Sequence, residues 1–156
     1  MLSKDVFSVT PYDIVIDYDM TLEDMVAAGN YDWGNLSINS KNFRFEQKKG
    51  KIRVRTFLVC FGKDTKYGQV IRELNKLGLR PGNLPELLAF GATYPEKQLE
   101  FPIVQFGTIW EVKKRRGRRG LYLRRGKKER GVSAIWLEHG FLSYYRFLAV
   151  EKDVQV

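Results

Sequence analysis

Apolar and polar positions alternate in the N-terminal part of the chain in the way typical of a β-strand. Across residues 12–18 every second side chain is aromatic or aliphatic, and Asp13 and Asp17 lie on the opposite face. A period of two residues predicts a half-buried strand. Thr21 then has the character of a helix N-cap, and Gly29 that of a helix end. The pattern therefore predicts a strand followed by a short helix.

The middle of the chain begins with a loop and continues with a strand and a helix. Residues 30–50 are rich in Asn, Ser, Gly and Lys and are predicted to be mostly loop. Residues 51–61 begin with alternating basic and apolar positions and end apolar on both faces, which is typical of a strand that runs from solvent into a core. Apolar residues at helical spacing then predict a helix at 66–77, with Asp64 or Thr65 as its N-cap.

A second helix and a β-rich remainder follow. Asn83 and Glu86 have the spacing of a capping box at the start of a helix over 84–90, and Tyr94-Pro95 ends it. The predicted strands of the remainder are 101–112, 120–125, 132–139 and 144–151. Helices and strands that are segregated in this way predict an α+β fold, with two or three short helices packed on a mostly antiparallel twisted sheet.

Length and composition predict a single domain over residues 1–156. The chain is 44% apolar, which is enough for a packed core and excludes a wholly disordered protein. No apolar run approaches the roughly 20 residues of a membrane span. The N-terminus lacks the pattern of a signal peptide, and Cys60 is the one cysteine. We therefore expect a cytoplasmic protein with no membrane segment, disulfide framework or cysteine-rich metal site.

Charge is distributed very unevenly along the chain. The formal net charge is +9, and residues 113–130 hold eleven Lys and Arg against one acid, Glu129. Residues 1–50 form an acidic strand–helix segment, because one lysine stands against seven acids in residues 1–40. The basic character of the protein therefore belongs to one short hairpin or meander insertion at 113–130.

This basic segment carries the candidate binding residues. Two glycine-containing turns, at 116–120 and 125–128, flank a Leu-Tyr-Leu strand, so we expect two basic tips on a firm base. The arginine guanidinium can grip phosphate bidentately and stack on bases. Tyr122 lies on the same predicted face as Arg124, where its ring can stack on an unpaired base. The candidate nucleic-acid-binding residues are Lys113, Lys114, Arg115, Arg116, Arg118, Arg119, Tyr122, Arg124, Arg125, Lys127, Lys128 and Arg130.

The region over about 57–150 resembles the C-type-lectin-like fold. A strand at 56–61, two helices joined by a glycine-containing link at 78–81, and the closing strand YRFLAVEK follow the order of that fold, and the run GLRPGNLPELLAF is similar to its second helix. The resemblance implies that the last strand lies beside the first strand of this region. The paired cysteines and calcium-binding triplets of the family are absent, so calcium-dependent sugar binding is not implied. The same region resembles bacterial proteins of unassigned function.

An acidic motif near the N-terminus resembles the first motif of haloacid-dehalogenase-like phosphatases. Apolar residues precede Asp-x-Asp-x-Thr-Leu at 17–22, and the resemblance implies a nucleophile at Asp17 and a general acid/base at Asp19 beside magnesium. That chemistry also needs a later acidic pair to hold the metal. After Glu100 no two acids stand together at a predicted strand end. We therefore interpret the motif as a strand followed by an N-cap, and expect no catalytic residue, metal or cofactor.

Together these patterns favour a non-enzymatic protein that binds nucleic acid through phosphate contacts from the basic segment, with DNA and RNA both open. The alternative is a protein-interaction module on a lectin-like scaffold that binds an acidic partner surface. Pairing of the basic segment with the acidic N-terminal segment, or simple solvation, also remains open. A magnesium-dependent phosphatase that uses Asp17 and Asp19 is the least favoured reading.

Overall fold

An extended β-sheet organises the protein. The structure, a computed structural model, describes residues 6–34, 38–45, 48–112 and 117–152. The strands within these residues are β1 (Ser8–Asp17), β2 (Trp33–Gly34), β3 (Lys51–Cys60), β4 (Leu79–Pro81), β5 (Ile103–Val112), β6 (Gly117–Arg125), β7 (Arg130–Trp136) and β8 (Arg146–Glu151). The helices are α1 (Leu22–Ala28), α2 (Tyr67–Lys76) and α3 (Leu84–Thr93).

The strand order of this sheet is β1-β3-β8-β5-β6-β7-β2, and the short β4 pairs with β8 outside this path. Most neighbours are antiparallel, whereas β5 with β8 and β2 with β7 are parallel. The predicted α+β class with a mostly antiparallel sheet is therefore confirmed. β3 and β8 are adjacent, with Thr56 opposite Val150. The lectin-like resemblance as a whole stays a prediction.

Two of the predicted helix starts are confirmed atom by atom. The Thr21 hydroxyl oxygen accepts from the backbone N–H of Asp24 at 3.1 Å at the start of α1. The Asn83 side chain accepts from Glu86 N at 2.9 Å, and the Glu86 carboxylate accepts from Asn83 N at 2.8 Å, which completes a capping box on α3. The buried Glu86 also binds Arg80, with 2.8 Å between Oε2 and Nη2.

The predicted N-cap of α2 is wrong, because the two candidates, Asp64 and Thr65, form hydrogen bonds with a distant part of the chain. Lys66 is the N-cap, and the Gln69 side chain accepts from its backbone N–H at 2.9 Å. The Asp64 carboxylate instead accepts from the N–H of Ser143 at 3.0 Å. Thr65 exchanges two backbone hydrogen bonds with Phe141. These bonds tie the start of α2 to the segment that leads into β8.

The sheet separates two hydrophobic cores. Leu121 belongs to the first core, which α1 and α3 cover, whereas its neighbour Tyr122 belongs to the second, which contains the buried side chains of α2. Successive residues of a strand point to opposite faces, so β6 is covered on both sides along its middle.

In the part of the chain that the structure describes, no helix is long and apolar enough to cross a membrane.

Candidate nucleic-acid interface

Eight of the twelve candidate residues lie within the described ranges. Lys113, Lys114, Arg115 and Arg116 lie outside the described residues. The other eight are in β6, in the turn at 126–129, and at the first residue of β7. Five of them lie on β6, which is roughly 27 Å long at the usual rise per residue. The two ends of the basic segment are therefore separate places on the molecule.

The first predicted turn, at 116–120, is wrong for its described part, because β6 already begins at Gly117 and continues through Gly120. Both glycines serve close packing. The Trp136 ring lies so close to Gly117 that a Cβ atom there would overlap it, and a Cβ atom at Gly120 would lie 2.8 Å from the Gln105 carbonyl oxygen. Glycine is therefore required inside the strand, where a larger side chain would displace its neighbours.

Arg118 and Arg119 are held against the sheet near the start of β6. Arg118 pairs with Glu138, with 3.2 Å between Nε and Oε1, and its guanidinium carbon lies 4.9 Å from the Tyr67 ring centre. The guanidinium of Arg119 lies between two indoles, 4.1 Å from the Trp136 ring and 5.4 Å from the Trp110 ring. Both arginines therefore have partners within the fold.

The Arg130 side chain connects β7 to other elements through hydrogen bonds to backbone carbonyl groups. Its Nε donates to the carbonyl oxygen of Pro95 at 2.9 Å, and its Nη2 donates to that of Gly91 at 2.8 Å. Its Nη1 donates to the carbonyl oxygen of Gly29. Gly29 caps α1 and Gly91 lies in the last turn of α3, where a cation is favourable. The guanidinium thus joins β7 to the ends of two helices.

Tyr31 fills the corner beside Arg130. The guanidinium carbon of Arg130 lies 4.8 Å from the Tyr31 ring centre. Burial raises the pKa of Tyr31 to about 12, and the charge of Arg130 acts in the opposite direction. The Tyr31 hydroxyl is buried and has no hydrogen-bond partner among the residues that the structure describes. This end of β7 is therefore a half-buried corner of the fold.

A second group of cations is exposed at the far end of β6. We call it the exposed cation group; it consists of Arg124, Arg125, Lys127 and Lys128. The turn that carries it is closed by a backbone hydrogen bond of 2.9 Å from Gly126 N to Glu129 O. Within the described ranges none of the four cations forms an ion pair. Their positive charge faces solvent.

An open cleft of about 490 Å³ lies beside the exposed cation group. We call it the tyrosine cleft; its walls include Phe101, Tyr122, Arg124, Arg125, Tyr144 and Tyr145. Tyr144 is 52% exposed, and its ring centre lies 5.3 Å from that of Tyr145. Arg125 Nη1 donates to the Leu99 carbonyl oxygen at 3.1 Å on the opposite wall. Cationic and aromatic side chains therefore share one concave surface.

Tyr122 and Arg124 share a face, as their spacing predicts, but Tyr122 is only 8% exposed. Its hydroxyl accepts from Arg124 Nη1 at 3.0 Å, and the Trp33 ring centre lies 5.5 Å from the guanidinium carbon of Arg124. Burial raises the pKa of Tyr145, the neighbouring Tyr122 and Tyr144 raise it further, and Arg124 acts against them. Tyr122 therefore serves as a hydrogen-bond acceptor for Arg124. The most exposed aromatic ring of this cleft is that of Tyr144.

Sequence reasoning missed Phe101, Tyr144 and Tyr145 as site residues. The two tyrosines fall in the predicted strand 144–151, whereas β8 begins only at Arg146. They therefore stand at the entrance of the strand and reach the cleft. The signal that could have found them is a pair of adjacent tyrosines close after Gly140, where the chain is expected to turn.

The acidic motif at the end of β1 builds a turn. The Asp17 carboxylate accepts from the N–H of Asp19 at 3.0 Å, and the Asp19 carboxylate accepts from the N–H of Gly50 at 2.9 Å. Among the described residues there is no group of three or more His, Cys, Asp and Glu side chains placed to hold a metal ion. Both carboxylates are thus engaged with backbone N–H groups.

Comparisons with protein-family models, with curated proteins and with solved structures find no match to this chain. Function is therefore inferred from the chemistry of its surfaces. The exposed cation group and the tyrosine cleft are the two features that combine charge, shape and exposure.

Proposed function

We propose that this chain is a non-enzymatic, cytoplasmic nucleic-acid-binding protein that contacts phosphates through its basic segment. The observation that carries the proposal is the exposed cation group, in which Arg124, Arg125, Lys127 and Lys128 are all exposed and close in sequence, with Glu129 as the one acid of that turn. Like charges repel one another, so their concentration at one end of a strand suits a polyanionic partner.

The chemistry of the neighbouring surface favours nucleic acid over an acidic protein. Arginine guanidinium groups bind phosphate oxygens bidentately, and lysine contributes a point charge. The tyrosine cleft adds exposed aromatic surface directly beside these cations. Phosphate oxygens and flat base rings alternate regularly along every nucleic acid, which matches cations and aromatic rings that lie side by side.

The test compares two charge-matched variants in fluorescence anisotropy titrations over a range of salt concentrations. One variant is Lys127→Ser with Lys128→Ser, which removes two cations of the exposed cation group. The control is Lys48→Ser with Lys49→Ser, which removes two adjacent exposed lysines from the loop before β3. Labelled single-stranded and duplex oligonucleotides and an acidic polypeptide, polyglutamate, serve as the three probes.

We expect the first variant to bind nucleic acid more weakly, with a salt slope shallower by roughly 1.5 to 2, since two fewer phosphates are neutralised. The control variant should keep the wild-type slope. An unchanged affinity and slope in the first variant would reject the proposal. Binding to polyglutamate without binding to either oligonucleotide would reject it in favour of an acidic protein partner.

A further inference from the structure

The tyrosine cleft has the size and the rigidity of a site for one nucleotide. Its volume of about 490 Å³ falls within the range of about 300 to 1,000 Å³ that is usual for small-molecule pockets. Its floor is fixed by Gln98, whose Nε2 donates to the carbonyl oxygens of Arg124 at 2.8 Å and Gly131 at 3.0 Å. Because these bonds join the floor to β6 and β7, the cleft is preformed.

Tyr144 presents an open ring at the edge of this cleft. It is among the most exposed large apolar side chains of the described residues, and Tyr145 backs it at 5.3 Å between ring centres. Its backbone is fixed as well, because the Tyr144 carbonyl oxygen accepts from Arg146 Nη1 at 2.7 Å. The guanidinium of Arg146 in turn lies 4.2 Å from the Phe101 ring centre. An exposed aromatic ring that is held in place is suited to stack on a base.

The same cleft carries cations at a suitable position for a backbone phosphate. Arg124 and Arg125 form one wall, and each gives one guanidinium nitrogen to a partner, Tyr122 or Leu99. A guanidinium has five N–H donors, so each keeps donors for a phosphate. Glu100, which also lines the cleft, is paired with Lys97 at 3.1 Å between Oε2 and Nζ.

We infer that the tyrosine cleft binds an unpaired nucleotide of a single strand, with its base stacked on Tyr144 and its phosphate at Arg124 and Arg125. This inference rests on the proposed function and names the form of nucleic acid that the site recognises. In the interior of a duplex both faces of each base are covered by neighbouring pairs, so the ring of Tyr144 has no free base face to stack on there. A single strand offers both the free face and the flexible backbone.

The experiment measures the affinity of the full chain for a labelled oligo(dT) of about 12 nucleotides, within the site sizes of single-strand binders, and for a duplex of the same length. Tyr144→Ser removes the ring, and Tyr144→Phe keeps it. Leu142→Ser is the matched surface control, because Leu142 is 48% exposed and does not line this cleft.

We expect Tyr144→Ser to weaken oligo(dT) binding by about tenfold and to leave duplex binding unchanged, because one stacking contact is lost. Its salt slope should equal that of the wild type, since no charge is removed. Tyr144→Phe and Leu142→Ser should bind as the wild type does. Equal loss on both probes, or no loss in Tyr144→Ser, would overturn the inference.

Three further outcomes separate this inference from the proposed function. If the wild type binds duplex and oligo(dT) with equal affinity, and Tyr144→Ser changes neither affinity, the inference fails and phosphate binding stands. If the wild type binds neither probe, both fail. If thymidine monophosphate displaces oligo(dT) at micromolar concentration, the ligand is a free nucleotide and the strand assignment is overturned.

Discussion

Arg125 and Arg130 stand directly opposite each other on β6 and β7, yet they belong to different environments. Arg130 gives its guanidinium to four backbone carbonyl groups, at Pro95, Gly91, Gly29 and Asn30. Arg125 donates to one carbonyl oxygen and is otherwise exposed to solvent. One side of the hairpin end is a half-buried corner, and the other is an open charged surface.

The difference shows that a run of basic residues overstates the charge available to a partner. Arg118 is paired with Glu138, Arg119 lies between two indoles, and Arg130 binds carbonyl oxygens. Of the described cations of the basic segment, Arg124, Arg125, Lys127 and Lys128 are exposed and form no ion pair, although Arg124 also packs against the Trp33 ring. Charge that looks continuous in the sequence is thus divided between stabilising the fold and facing solvent.

The largest expected effect on stability comes from replacing Arg130. Arg130→Ala should lower the free energy of unfolding by about 3 kcal/mol, because several part-buried carbonyl groups lose a charged donor. Arg125→Ala, its cross-strand neighbour, should change stability by less than about 0.5 kcal/mol. Urea unfolding followed by circular dichroism measures both. Equal unfolding midpoints in the two variants would remove the distinction between the two arginines.

A smaller effect is expected at Arg119. Arg119→Ala should destabilise by about 1.5 kcal/mol, because the stacked guanidinium and its aliphatic stem are both lost. Arg119→Met should recover most of that loss, since it refills the space and removes the Nε donor, which has no partner among the described residues. Urea unfolding followed by tryptophan fluorescence tests this. A Met variant as unstable as the Ala variant would show that the charge itself dominates.

The smallest effect at neutral pH is expected for Tyr31→Phe, which removes a buried hydroxyl without a partner among the described residues. Stability at pH 7 should be nearly unchanged. The folded pKa of about 12 lies above the ordinary tyrosine pKa of about 10, so the unfolded chain loses this proton first, and the wild type loses stability as pH rises from about 10 to 12. Stability measured across that interval should fall less in Tyr31→Phe, and an equal fall in both proteins would contradict the assignment.

Local features of this fold could be predicted from the sequence, and features that depend on distant partners could not. The caps at Thr21 and Asn83 follow from residues three positions apart. The N-cap of α2 could not be predicted, because Asp64 binds Ser143 across a long stretch of chain. In the same way, the glycines of residues 116–120 predict a turn, but Gly117 lies in a strand and leaves room for the Trp136 ring.

The candidate site, like the fold, could be predicted only in part from the sequence. The exposed positions of Lys127 and Lys128 could be predicted from the sequence, because they lie in the glycine-containing turn between two predicted strands. The tyrosine cleft could not, since Phe101 and Tyr144 meet Arg124 only after β5, β6 and β8 have assembled. The hydrogen bonds of Arg130 depend on the ends of α1 and α3, which are far from it in the sequence.

The position of β8 has a consequence for how the protein is made. β8 lies between β3 and β5, although it is the last strand along the described chain. During synthesis the ribosome therefore delivers both flanking strands before the one that joins them, and each carries an unpaired hydrogen-bonding edge until then. Open edges are templates for association with other chains. Until β8 has paired with both, the facing edges of β3 and β5 are therefore the places at which association with other chains is expected.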